Sequence, residues 1–128
     1  KPLSNLTFLD LGNNDINREG SRLLGELLGS AQFLPAKTLQ QLDLSFNSMQ
    51  APGALSIVQG LITDSRCYRS LHTLSMRGNS IGVSGAQTIC PALASMLALQ
   101  ALDLSENKFR GAKTEIARML PSIETLRV

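Results

Sequence analysis

The feature that most restricts this chain is a segment written four times. LTFLDLGNNDI, from Leu6 to Ile16, returns as LQQLDLSFNSM from Leu39 to Met49, LHTLSMRGNSI from Leu71 to Ile81 and LQALDLSENKF from Leu99 to Phe109. Each copy has the form LxxLxLxxNxφ, where φ is apolar and Met76 takes the third leucine place of the third copy. A further copy, IETLRV, opens at Ile123 and stops at Val128 before its Asn. Agreement at every defined position is hard to reach by chance, so the chain reads as a tandem array. Inside each copy the second and third apolar residues alternate with polar ones, the period of a strand buried on one face. Leu9 and Leu11 therefore point inward, and Phe8, Asp10 and Gly12 outward. Beyond each Asn the spacing becomes helical: Leu23, Leu24, Leu27 and Leu28; Leu55, Val58, Leu61 and Ile62; Ile89, Leu93, Met96 and Leu97; Ile116, Met119 and Leu120. Strand and helix alternate along the chain, and successive strands stack as parallel neighbours with helices on one face only. Most parallel sheets are covered on both faces, so polar alternation here predicts a sheet with one face open.

The pattern resembles the leucine-rich repeat over essentially the whole chain. Gly20, Gly53 and Gly85 recur at one distance beyond the last strand residue, which is similar to the ribonuclease-inhibitor-like subclass, where the glycine lets the helix approach the strand layer. Lys113 stands at the equivalent place of the fourth repeat and predicts a locally different helix there. The resemblance implies an α/β fold: a short horseshoe arc of a right-handed βα solenoid, its parallel sheet concave and its helices convex. It implies one domain over 1–128, with full repeats at 6–38, 39–70, 71–98 and 99–122 and a partial one at 123–128. Lys1-Pro2-Leu3 leads at once into a repeat, and Ile123, Leu126 and Val128 fall in an unfinished strand. Both ends look cut, so the chain is expected to be a segment of a longer array, aggregating or only marginally stable alone.

The recurrent Asn has a structural reading. Where the chain leaves the strand, backbone N–H and C=O groups turn inward without a regular ladder, and such groups are costly unpaired. An Asn amide offers two donors and an acceptor. Asn14, Asn47, Asn79 and Asn107 are expected to form a buried column, each tying its own turn to the next repeat's backbone.

Composition excludes several functions. Twelve basic and ten acidic residues leave a net charge of +2, too balanced for a nucleic-acid or anionic-membrane surface. No apolar run approaches the roughly 20 residues of a membrane helix, and no signal-peptide pattern opens the chain. Cys67 and Cys90 lie too far apart for a CxxC motif and, with the lone His72, form no familiar zinc constellation, and the two thiols read as reduced and intracellular. GNSIGVSG, from Gly78 to Gly85, lacks phosphate-loop spacing. Asn5-Leu6-Thr7 is a glycosylation sequon only if the chain is secreted. No nucleophile, base and pocket converge. The expectation is therefore no catalysis, no cofactor, no metal, no small-molecule substrate, no nucleic acid and no membrane.

Function is expected on the open face. Its outward columns are Phe8, Gln41, Thr73, Ala101 and Thr125; Asp10, Asp43, Ser75, Asp103 and Arg127; Gly12, Ser45, Arg77 and Ser105; and Asn13, Phe46, Gly78 and Glu106. This is a shallow, mildly acidic surface suited to a protein. Phe8, Asp10, Gln41, Asp43, Phe46, Arg77, Asp103 and Glu106 are its contact candidates, with Arg66 and Tyr68 in the long second connection. Asp10 and Asp43 lie side by side, where a partner's Lys or Arg could pair with them. The expected role is a non-catalytic interaction scaffold in a larger protein or assembly, intracellular and cytoplasmic, with cytoskeletal association as one setting. The resemblance also implies two alternatives: an enzyme regulator, of the inhibitor or small-GTPase-activator kind, and the ligand-sensing repeats of an intracellular immune receptor. Asn47→Ala is expected to cost on the order of 1–3 kcal/mol; an unchanged melting curve would refute the buried column.

Overall fold

The computed structural model describes residues 5–33, 38–63 and 65–128, with the side chains of 65–67 outside the description. Strands β1 (Phe8–Asp10), β2 (Gln41–Asp43), β3 (Thr73–Ser75), β4 (Ala101–Asp103) and β5 (Thr125–Arg127) form one sheet in sequence order. Every neighbouring pair is parallel and in strict repeat register, so Leu9, Leu42, Leu74, Leu102 and Leu126 share one row. Helices α1 (Arg18–Leu28), α2 (Gln50–Thr63), α3 (Ser65–Ser70), α4 (Gly82–Ala94) and α5 (Lys113–Arg118) fill the crossovers. The chain is thus an α/β repeat solenoid. Strands of three residues suffice because each strand's stability comes from its neighbours rather than its own length.

A single core joins the two layers. Leu42, Leu74 and Leu102 of the strands, Leu44, Met76 and Leu104 at their exits, and Ile57, Ile89 and Ile116 of the helices are all buried. Leu39, Leu71 and Leu99 enter this core just before each strand, and Met49, Ile81 and Phe109 enter it just after each Asn. Leu9 and Leu11, expected inward, are only partly buried in the first repeat.

The helical leucines need correction. Leu28 is buried, but Leu23 and Leu27 are 53% and 45% exposed on α1, because that helix turns Ser21, Gly25 and Leu28 toward the core and α2. Ile62 is also exposed, and Leu97 lies beyond the end of α4 with 82% of its surface open. In the fourth repeat, where Lys113 replaces the glycine, a 3-10 turn at Arg110–Ala112 leads into the six-residue α5.

The recurrent glycines serve helix-to-helix approach as much as helix-to-strand approach. A Cβ at Gly53 would stand 3.0 Å from both Met49 and Ser21 of α1; at Gly85 it would stand 2.8 Å from both Ile81 and Ala51 of α2. A tighter seam, unmarked by the repeat pattern, joins α1 to α2. A methyl at Gly25 would enter the Ser56 carbonyl, and one at Gly60 would enter the Gly25 carbonyl. Neither clash can be relieved by rotating a side chain, since the atoms met are backbone.

Helix α1 starts where Asn17 accepts a hydrogen bond from the Gly20 N–H at 3.0 Å, an N-cap that satisfies one otherwise unpaired donor. Gly60→Ala should lower stability by about 1–3 kcal/mol through overpacking, although alanine is the better helix former by about 1 kcal/mol. Denaturant midpoints check this, and an Ala variant as stable as the parent would rule out the close seam.

Candidate functional site

The open face is built by the turn that follows each strand, and the Asn side chains set that turn. Asn47 donates to the carbonyls of Leu44 and Ser45 in its own turn at 3.2 Å each, and to Leu11 of the preceding repeat at 2.8 Å. Its Oδ1 accepts the N–H groups of Asn14 and Ile16. Asn79 repeats this arrangement on Leu44, Met76, Arg77, Asn47 and Met49. Asn107 repeats it on Met76, Leu104, Ser105, Asn79 and Ile81. The tie therefore runs to the preceding repeat, not the next one. Asn14 departs from the expected burial: it is exposed and donates only within its own turn, to Leu11 and Gly12, because no repeat packs before it among the described residues.

Holding the amide inward forces the flanking backbone into an unusual shape. The residues just before the four Asn positions, Asn13, Phe46, Gly78 and Glu106, have φ of 59°, 56°, 67° and 55°. Those just after, Asp15, Ser48, Ser80 and Lys108, lie at 53° to 65°. The left-handed region costs a non-glycine residue about 1–2 kcal/mol, and a bulky side chain there is an outlier. Of these eight, Gly78 alone is the residue type that adopts it freely, so residue type does not signal the turn at Phe46 or Glu106.

Phe46 turns this geometry into a surface feature. Its ring lies on Gly78 of the next repeat, so that a Cβ at Gly78 would enter the ring. The Arg77 guanidinium stands 5.6 Å from the ring centroid, within cation–π range. The same guanidinium is bonded through Nε to Glu106 at 2.5 Å. Phe46, Arg77 and Glu106, contributed by three successive repeats, thus form one chain of contacts across the face, and Phe46 remains 43% exposed.

The aspartates have a structural task as well as an exposed one. Asp43 Oδ1 accepts the Ser45 N–H at 2.9 Å and its hydroxyl at 2.6 Å. Asp103 does the same with Ser105 at 2.9 and 2.5 Å, and Asp10 accepts the Gly12 N–H at 2.9 Å. Each carboxylate closes the turn two residues on, a local side-chain to backbone bond. Where the third repeat has Ser75 instead, the bond to the Arg77 N–H stretches to 3.5 Å.

Between these groups lies a shallow depression of about 390 Å³, lined by Asp43, Phe46, Thr73, Ser75, Arg77, Ala101, Asp103, Thr125 and Arg127 among others. Sequence reading selected Asp43, Phe46, Arg77 and Asp103 and missed Thr73, Ser75, Ala101, Thr125 and the charged Arg127 as a common floor and rim, although alternation had placed each outward. Phe8 is 53% exposed on β1, and Gln41 beside it is exposed. Neither lines the depression. Tyr68 packs partly buried against the core, and the Arg66 side chain lies outside the described residues. A larger opening of about 630 Å³ lies among the helices by Asn17, Glu19, Arg22 and Gln50. There Arg22 is already held by Glu19 and Glu26 at 2.6 and 2.5 Å.

Reactive chemistry is sparse. Cys90 is buried, and burial pushes its thiol up to about 11. Among the described residues no group of three His, Cys, Asp or Glu could hold a metal ion, and no helix is long and apolar enough to cross a membrane.

The profile described as "Leucine Rich repeat" matches residues 3–24, 36–58 and 69–90. The ribonuclease inhibitor of Mus musculus is 36% identical over 84 residues. That match takes in 66% of this chain and 17% of the inhibitor, so the chain spans about a sixth of its relative's length.

Asp43→Ala should destabilise by about 0.5–1.5 kcal/mol by opening the strand-exit turn, whereas Asp43→Asn, which keeps an acceptor oxygen, should stay closer to the parent. Equal losses in thermal melts of the two variants would remove the turn bond as the cause.

Proposed function

Because the chain belongs to the leucine-rich repeat family, in its ribonuclease-inhibitor-like subclass, we propose that it is a non-catalytic protein-binding scaffold working through the open sheet face, as part of a larger repeat protein in the cytoplasm. The observation that carries this is the exposed Phe46–Arg77–Glu106 chain. A large aromatic is held on a strained backbone, against a glycine and beneath a guanidinium, at the strand-exit rim of the face. Strain of this kind persists where surrounding structure enforces it, and it clusters at binding sites. Aromatic and arginine side chains also dominate the energetics of protein interfaces. A shallow, polar-rimmed depression suits a protein surface better than a small molecule.

The Asp and Arg positions divide the work. Asp10, Asp43 and Asp103 use one oxygen to close their turns, so replacing them disturbs the fold as well as any contact. Phe46 and Glu106 make no such turn bond through their side chains and are better probes of binding. Phe8 and Gln41 extend the same face toward β1, and Tyr68 and Arg66 belong to a secondary contact in the second connection. Within this reading the partner is a protein.

A second reading, an enzyme inhibitor, is favoured by one observation, the 36% identity to a ribonuclease inhibitor. The chain carried on a resin should capture a partner from cell extract. Phe46→Ala should weaken that capture about thirtyfold, the roughly 2 kcal/mol of an interface hot spot, while Arg22→Ala among the helices should leave it unchanged. Capture insensitive to Phe46→Ala would move the contact off the sheet face. Loss of ribonuclease activity on adding the chain would favour the inhibitor reading over the scaffold.

A further inference from the structure

Resting on the sheet-face reading, we infer that the depression takes a basic side chain of the partner, an arginine or lysine seated between Asp43 and Asp103, with the partner's neighbouring apolar residue laid on the Phe46 ring. Asp43, Ser75 and Asp103 are consecutive in register across β2, β3 and β4. The serine breaks a row of carboxylates and leaves a gap walled by two of them, about 9.5 Å apart at two strand spacings. A guanidinium carries donors on opposite edges and can address both walls from one position.

The two walls are fixed in direction. Oδ1 of each aspartate is occupied by the N–H and hydroxyl of Ser45 or Ser105, and among the described residues no hydrogen bond reaches either Oδ2. The charge of the face agrees with a cationic guest. Its outward positions carry Asp10, Asp43, Asp103 and Glu106 against only Arg77 and Arg127, and Arg77 is already bound to Glu106. The whole chain is net positive at +2, so this face has the sign opposite to the rest of the molecule. Such local complementarity selects a partner and steers its approach. Phe46, exposed at the rim, gives apolar cover for the stem of a long basic side chain or the residue beside it.

The test uses short amidated peptides that differ only in a central Leu-Arg, Leu-Lys, Leu-Gln or Leu-Glu pair, titrated at low ionic strength against the isotope-labelled full chain. The Leu-Arg and Leu-Lys peptides should shift the amide signals of Ser45, Ser75 and Ser105. They should bind about three- to tenfold more tightly than Leu-Gln, as two half-exposed ion pairs allow. The margin should vanish in the Asp43→Asn, Asp103→Asn double variant, whose asparagines keep the turn acceptors and hence the fold. A Leu-Gln peptide binding there as tightly as Leu-Arg, or a margin that survives the double variant, overturns the inference and leaves the docking face standing. No shift on the sheet face with any peptide also overturns it, and the docking face falls with it only if Phe46→Ala leaves extract capture intact.

Discussion

The structure depends on one side-chain amide per repeat. At every strand exit the backbone must turn from sheet to helix inside the core, where its polar groups cannot reach water. Asn47, Asn79 and Asn107 meet that demand by sharing two amide hydrogens among three carbonyls and accepting two N–H groups each, reaching back to Leu11, Leu44 and Met76 of the repeat before. No buried side-chain polar atom is left without a partner among the described residues. Each repeat is stapled to its predecessor by the residue that shapes its own turn, so turn geometry and stacking are one interaction rather than two.

That staple fixes what the open face looks like. With the Asn drawn inward, the residues on either side are driven into the left-handed region, and their side chains are thrown outward in register. Phe46 comes to rest on the glycine that occupies its own place one repeat later, and Arg77 closes over it. The aspartates of the LDLS copies brace the same turn from the strand side. Side chains already held by such contacts have less rotamer freedom to lose on binding.

On the other side, the solenoid tightens through glycine. Gly25 and Gly60 bring α1 and α2 together until their backbones touch, and Gly53 and Gly85 make room for the helix of the preceding repeat. With the crossover helices packed on one side of the sheet, the opposite face carries the aromatic and the unspent carboxylate oxygens. Burial pushes the Cys90 thiol up to about 11, which keeps it in the neutral, unreactive form.

The recurrence of LxxLxLxxNxφ determined the class of fold, the parallel order of the strands and the inward leucines, because periodicity and the need to satisfy buried amides are local rules that repetition multiplies. It also placed Asp43, Phe46, Arg77 and Glu106 on a common face. Their association was decided only by tertiary structure: the left-handed φ at Phe46 follows from a hydrogen-bond network that crosses repeats, and although repeat register makes Phe46 and Gly78 neighbours, only the stacked backbone lays the ring on the glycine. Helical spacing likewise suggested burial for Leu23, Leu27 and Leu97, but which stripe of a helix is covered depends on the neighbour it meets, and α1 meets α2 through its glycines. Local chemistry wrote the turn and the strand; the stacking of one repeat on the next chose the contacts.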